Sequence, residues 1–208
     1  EEPLVVSGQT SFQPLYSPDG NEVAFLENRT TLRVINRKTK QVRTVLDGKY
    51  LYSYSDGDQH FQWSPDSKWF LVDYISVGGW NNTDIVLVKA DGSGEMTNLT
   101  ESGYSDNNAK WVLDGKAMIW SSDRAGYRSH GSWGAEDDIY IMFFDGEAYD
   151  KFRLTKEEQA LLDEEKEDKD KDEKADKPVE PLKFDLANRK DRIMRLTVNS
   201  SFLGDAVL

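Results

Sequence analysis

The sequence has no cysteine, which excludes disulfides and thiolate metal sites. It has no run of eighteen apolar residues, so no helix-type membrane span is expected. It lacks an initiator Met and a signal-type apolar stretch at its start, as expected if a leader was removed or the ends were cut. Positive charge is scarce: 26 Lys and Arg stand against 38 Asp and Glu, a net charge of −12. Without a concentrated basic face, nucleic-acid binding is not expected. Helical periodicity is rare outside residues 156–163.

Half of the net negative charge sits between Lys156 and Glu180, where twelve acidic residues face six basic ones. That stretch has almost nothing apolar to bury and reads as a solvated insertion. The remaining 183 positions are rich in aromatic and β-branched residues, which favour half-buried strands.

A repeat organises those strands. Leu15-Tyr16-Ser17-Pro18-Asp19-Gly20 aligns with Gln62-Trp63-Ser64-Pro65-Asp66-Ser67, and then with Lys110-Trp111-Val112-Leu113-Asp114-Gly115. The copies are 47 and 48 positions apart, a period that signals a solenoid, array or propeller. In the first copy Pro presets φ, Asp bonds the turn backbone and Gly takes positive φ; the second replaces Gly with Ser67 and the third replaces Ser-Pro with Val112-Leu113. Two further strands follow each copy: residues 31–36 and 41–46, then 84–90 and 95–99, then 138–144 and 151–154. Four short antiparallel strands per period describe a propeller blade.

The expected fold is therefore all-β, a partial β-propeller over residues 1–208 with blades at 12–46, 60–99 and 108–155. An acidic low-complexity insertion fills 156–180, partly helical or disordered, and 181–208 holds a strand pair leading into a next blade. Residues 182–196 fit two descriptions, an extra hairpin or the true outer strands of the third blade. Both ends fall mid-blade, and propellers need four to eight blades to close. Further blades of the same protein, or self-association of this segment, are the expected partners across the open edges.

Catalytic patterns are weak. Gly131-Ser132-Trp133-Gly134 lacks the glycine two places before Ser that a G-x-S-x-G elbow needs. His60, beside Phe61 and Trp63, reads as a packed histidine rather than a general base. Ser55-Asp56-Gly57-Asp58 lacks the spaced oxygens and terminal Glu of an EF-hand, and reads as a turn. No cofactor, metal or catalytic residue is expected. Asn28, Asn81, Asn98 and Asn199 open sequons that read as chance occurrences.

In a four-stranded meander the longer loops here, 48–59, 75–83, 101–108 and 124–137, all leave one end. They carry Tyr50, Tyr52, Tyr54, Trp80, Tyr104, Tyr127 and Trp133, with Arg124, Arg128 and His130. Aromatic side chains with a polar handle suit a recognition face. Trp63, Trp69, Trp111, Phe25 and Trp120 occupy strand positions and read as core.

The Ser-Pro-Asp-Gly openers, Ser122-Asp123-Arg124-Ala125-Gly126, Asp138-Ile139-Tyr140, Asp145-Gly146 and Leu154-Thr155 resemble TolB-type propeller repeats. The long loops and the charged insertion before Lys183-Phe184-Asp185-Leu186 look closer to tricorn-like serine peptidases, above all large secreted Bacteroides-type members. The likeness covers residues 12–155 best. It implies a propeller that guides or gates peptide or protein substrates ahead of PDZ and peptidase domains, in the periplasm or outside the cell. Cytoplasmic location stays open. None of that family's catalytic residues falls on this chain. A stand-alone TolB-type module binding protein or glycan, and the propeller of a prolyl-oligopeptidase-type enzyme, are the alternatives.

Overall fold

In the Ser-Pro-Asp turns, one hydroxyl closes each hairpin. Between β1 (Ser11–Tyr16) and β2 (Glu22–Glu27), Ser17 Oγ donates to Asp19 Oδ1 at 2.6 Å and accepts the Glu22 N–H at 3.0 Å. Gly20 takes the left-handed conformation that ends the turn. Ser64 repeats this between β5 (Phe61–Trp63) and β6 (Trp69–Ile75), bonding Asp66 at 2.6 Å and the Trp69 N–H at 2.9 Å. The third turn, at 113–115, has no such serine, and Leu113, Asp114 and Gly115 are all left-handed there.

The computed structural model describes residues 3–5, 7–77, 79, 81–128, 134–167 and 181–208. β3 (Thr31–Asn36) and β4 (Val42–Leu46) complete the first blade, in the order β1-β2-β3-β4. β7 (Thr83–Lys89) and β8 (Met96–Asn98) complete the second. The third pairs β9 (Asp106–Val112), β10 (Ala117–Ser122), β11 (Asp138–Phe143) and β12 (Ile193–Arg195). Every strand pair is antiparallel. No helix among the described residues is long and apolar enough to cross a membrane.

The first strands of successive blades lie side by side and share hydrogen bonds. Gln13 Nε2 donates to Gln59 O at 2.8 Å, and Trp63 Nε1 to Leu15 O at 3.2 Å. Trp111 N–H donates to Gln62 Oε1 at 2.9 Å, and His60 Nε2 lies 2.7 Å from Ala109 O. These partners are 46 to 49 positions apart, which is the sequence repeat made physical. One apolar layer, with Leu26, Val34, Trp63, Phe70 and Val86, fills the space between blades 1 and 2. Another, with Leu71, Ile85, Met118, Trp120 and Met142, fills that between blades 2 and 3. Trp63, Phe25 and Trp120 are buried, while Trp69 and Trp111 are half-buried against the second layer. The three sheets do not close into a ring.

The third blade corrects the sequence reading. Residues 151–154 do not form its outer strand, and Asp145-Gly146 does not turn into one. Asp145 instead caps α1 (Gly146–Phe152), accepting the Ala148 N–H at 2.6 Å. Tyr149 and Phe152 then pack on Phe143. Thr155 and Glu158 form a reciprocal capping box at the start of α2 (Lys156–Glu167), which takes Leu154-Thr155 out of strand conformation. The outer strand is β12, with Tyr140 opposite Arg195 and Met142 opposite Ile193.

Residues 182–186 are not a strand either. They run along the seam between blades 2 and 3, where Leu182 N–H donates to Asp66 Oδ2 at 2.9 Å and Asp185 N–H to Phe144 O at 2.8 Å. Phe184 wedges among Trp69, Trp111 and Phe144, at ring separations of 5.2, 6.1 and 5.1 Å. Residues 202–208 form no strand; Leu203 and Ala206 pack on the far face of blade 3.

A candidate recognition face

Four buried aspartates tie down the loops that leave one end of the blades. Asp84 opens β7 and accepts from Ser76 Oγ, Asn98 Nδ2, Thr100 Oγ1 and the Ser102 N–H, at 2.5 to 3.1 Å. Asp138 opens β11 in the same way, accepting from Arg195 Nε, Thr197 Oγ1 and Ser200 Oγ at 2.5 to 2.8 Å. Burial alone would raise Asp138, but the bonds from Thr197, Ser200 and Arg195 hold it below the usual carboxyl range.

Asp106 is fully buried and takes Arg124 Nη2 on both oxygens, at 2.8 and 2.9 Å, with Trp120 Nε1 at 3.0 Å. The Arg124 guanidinium lies over the Trp120 and Tyr140 rings. Asp123 accepts the Ser105 N–H at 3.0 Å and Arg128 Nε at 2.9 Å, and Arg128 stacks on Tyr104 at 5.0 Å. Arg124 and Arg128 are therefore directed inward as loop anchors.

Above these anchors Tyr127 is 66% exposed, and on the separate loop 48–59 Tyr52 and Tyr54 are 55 and 84% exposed. Tyr104 is less open, beneath Arg128. Tyr50 turns inward, its ring 6.3 Å from that of Tyr74, and packs on the core. Burial first, then the charges of Asp84 and Glu101, push Tyr74 up to about 12. Trp80, His130 and Trp133 lie outside the described residues, as do Gly131 and Ser132.

The Asp-rich loop beneath Tyr54 is a self-bonded turn. Asp58 accepts the Tyr54 and Ser55 N–H groups at 2.5 and 2.8 Å and Ser53 Oγ at 2.8 Å. Asp56 pairs with Arg29 at 2.6 Å. His60 sits at the seam between first strands, close to Asp73. Asp73 Oδ2 accepts the Asn108 N–H at 2.9 Å, while its Oδ1 is buried with no partner among the described residues. Burial raises Asp73 to about 6, opposed by the nearby His60.

Sequence reasoning gave none of the four aspartates an anchoring role, although Asp123 and Asp138 stand in the propeller motifs. The signal was present, since an Asp precedes a solid apolar run at both Asp84-Ile85-Val86 and Asp138-Ile139-Tyr140. A charge at the mouth of a buried strand requires donors nearby.

No family model and no curated protein matches the sequence. Among solved structures the chain is similar to a putative TolB from Agrobacterium tumefaciens, with 20% identity and a TM-score of 0.48, covering 68% of this chain and 48% of that one. It is also similar to a prolyl endopeptidase, with 22% identity and a TM-score of 0.46, covering 66% of this chain and 21% of that one. A third is the β-propeller domain of Cps50 (Swd1) from Myceliophteria thermophila, with 12% identity and a TM-score of 0.38, covering 65% and 40%. The chain spans less than half the length of each. The sheet order and the bonds between neighbouring first strands make it a partial β-propeller of three open blades.

Proposed function

We propose that this chain is a non-catalytic β-propeller segment of a tricorn-like serine peptidase, whose tyrosine-bearing face guides or gates peptide substrates in the periplasm or outside the cell. The observation that carries this reading is the exposure of Tyr127 on a loop fixed from below by the buried Asp123, and of Tyr52 and Tyr54 on a loop closed by Asp58. Tyr offers apolar area and a hydroxyl at little entropic cost, which suits transient contact with extended peptides of varied sequence. Anchored loops hold those rings in place before a peptide arrives, so binding orders less of the surface. The net charge of −12 favours the approach of basic segments.

The test is a triple variant, Tyr52→Ala, Tyr54→Ala and Tyr127→Ala, assayed by fluorescence anisotropy against a set of unstructured peptides. Binding should weaken at least tenfold. The melting temperature should hold, because exposed side chains contribute within about 0.5 kcal/mol each. Equal binding by the folded triple variant refutes the face.

A further inference from the structure

A cleft of about 270 Å³ opens where the first strands of blades 2 and 3 meet the segment 203–206. His60, Asn107, Lys110, Ser121, Asp137 and Asp205 are among its lining residues. Its volume falls just below the ~300–1,000 Å³ of ordinary ligand pockets, so it admits one residue-sized group rather than a folded partner.

Its charges do not balance internally. Asp84, Asp106, Asp123 and Asp138 each receive two or more donors. The carboxylate of Asp137 receives none from the described residues, although its backbone pairs with Ser201 in both directions. Burial, and then the charges of Asp123 and Asp138, raise Asp137 above the usual carboxyl value. The cations near it are committed elsewhere. Lys110 Nζ donates to Asp205 and to Ala206 O, Arg124 to Asp106, Arg128 to Asp123 and Arg195 to Asp138. Among the described residues no group of three or more acidic, His or Cys side chains is placed to hold a metal ion.

We propose that this cleft receives one protonated amino group of a peptide, with Asp137 as its counter-ion and the Ser121 hydroxyl as a second acceptor. The inference rests on the peptide-handling reading and gives it a chemical specificity. An ammonium is a compact point charge with three donors, which matches single acceptors around a small cleft. The link to the tyrosine face is direct: Glu136 N–H donates to Tyr127 O at 2.8 Å, so Asp137 adjoins the loop segment that carries Tyr127. A peptide lying on that ring is the proposed source of the amino group. The group belongs either to a chain terminus or to a lysine side chain.

The experiment is a two-dimensional NMR titration of the full chain with three probes: glycinamide, Nα-acetyl-lysine amide and Nα-acetylglycinamide. Saturable shifts at the Asn107, Ser121 and Asp137 amides are expected with at least one of the two amines, and none with the neutral probe. Whichever amine binds more tightly identifies the terminus or the side chain as the source. Asp137→Asn should weaken binding at least tenfold, whereas Asp137→Glu, which keeps the charge, should retain it and serves as the folding control. The tyrosine triple variant should bind the small amines unchanged, which separates failure of the face from failure of the cleft. Absence of saturable shifts with both amines, or equal affinity in Asp137→Asn, overturns the proposal.

Discussion

Truncating Phe184 to Ala tests the least expected part of the structure, the strap that crosses from blade 2 to blade 3. Fully burying a Phe makes its removal cost about 3–5 kcal/mol, and Phe184 is half-buried, which suggests about 2. Its contacts with Trp69, Trp111 and Phe144 add a few tenths each beyond area, for a total of about 2–3 kcal/mol. In a chain of this size each kcal/mol moves the melting temperature by about 2–4 °C, so a fall of roughly 5–10 °C is expected. Circular dichroism melting reads that fall. Hydrogen exchange of the Leu196 amide, bonded to Ile139 O at 2.8 Å, should quicken in parallel, because the strap delivers β12 to its place. Leu161→Ala on the open face of α2 is the control and should change stability by less than about 0.5 kcal/mol. A Phe184→Ala melt within 1 °C of the parent, with unaltered Leu196 exchange, would refute the seating of the strap.

Arg124→Met should cost about 3 kcal/mol or more in urea unfolding, because it strands the buried Asp106 carboxylate. Arg124→Lys should recover only part of this, since one ammonium does not reproduce a guanidinium stacked on Trp120 and Tyr140. Asp73 has a folded-state value of about 6 against a usual 3.8, so the native state holds its proton more tightly. Its contribution is neutral below pH 4, becomes progressively unfavourable between pH 4 and 6, and is complete above 6, on the order of 3 kcal/mol. Asp73→Asn should therefore flatten the stability profile between pH 4 and 6 and raise the urea midpoint at pH 7; parallel profiles would discount the burial argument. Gly126→Ala places a methyl 2.1 Å from the Glu136 carbonyl oxygen, and should destabilise by about 2 kcal/mol while loosening the Tyr127–Glu136 bond in exchange measurements.

Blades 1 and 2 are legible in the sequence because their signals are local. Ser-Pro-Asp turns, alternating apolar runs and Asp91-Gly92 act within a few residues, and consecutive strands pair across connections of at most seven residues. The third blade is not, because Arg-Leu-Thr occurs twice, at 153–155 and 195–197. Proximity to β11 favours the first copy. The deciding contacts are distant: Asp138 takes Arg195 and Thr197 across nearly sixty positions, while Thr155 is drawn into a capping box. Pairing Thr155 with Glu158 at the i, i+3 spacing was a local cue for helix that the strand pattern obscured. For the face, the sequence shows which rings sit on loops but not which turn outward. Tyr50 and Tyr54 are four residues apart, and only the short turn at 48–50 rotates Tyr50 onto Tyr74.

The long connection within blade 3 bears on how the chain reaches this fold. Five residues separate β3 from β4, whereas 49 separate β11 from β12. Closing the longer loop costs about 2 kcal/mol more in chain entropy. At about 5–20 residues per second, a ribosome needs roughly 2–10 s to make that stretch, far longer than a hairpin takes to form. The first two blades can then assemble while β11 still presents an unpaired edge. In this order of synthesis the last strand of the third blade arrives as a separate event, and the nascent chain is exposed to edge-to-edge pairing with its neighbours until it does.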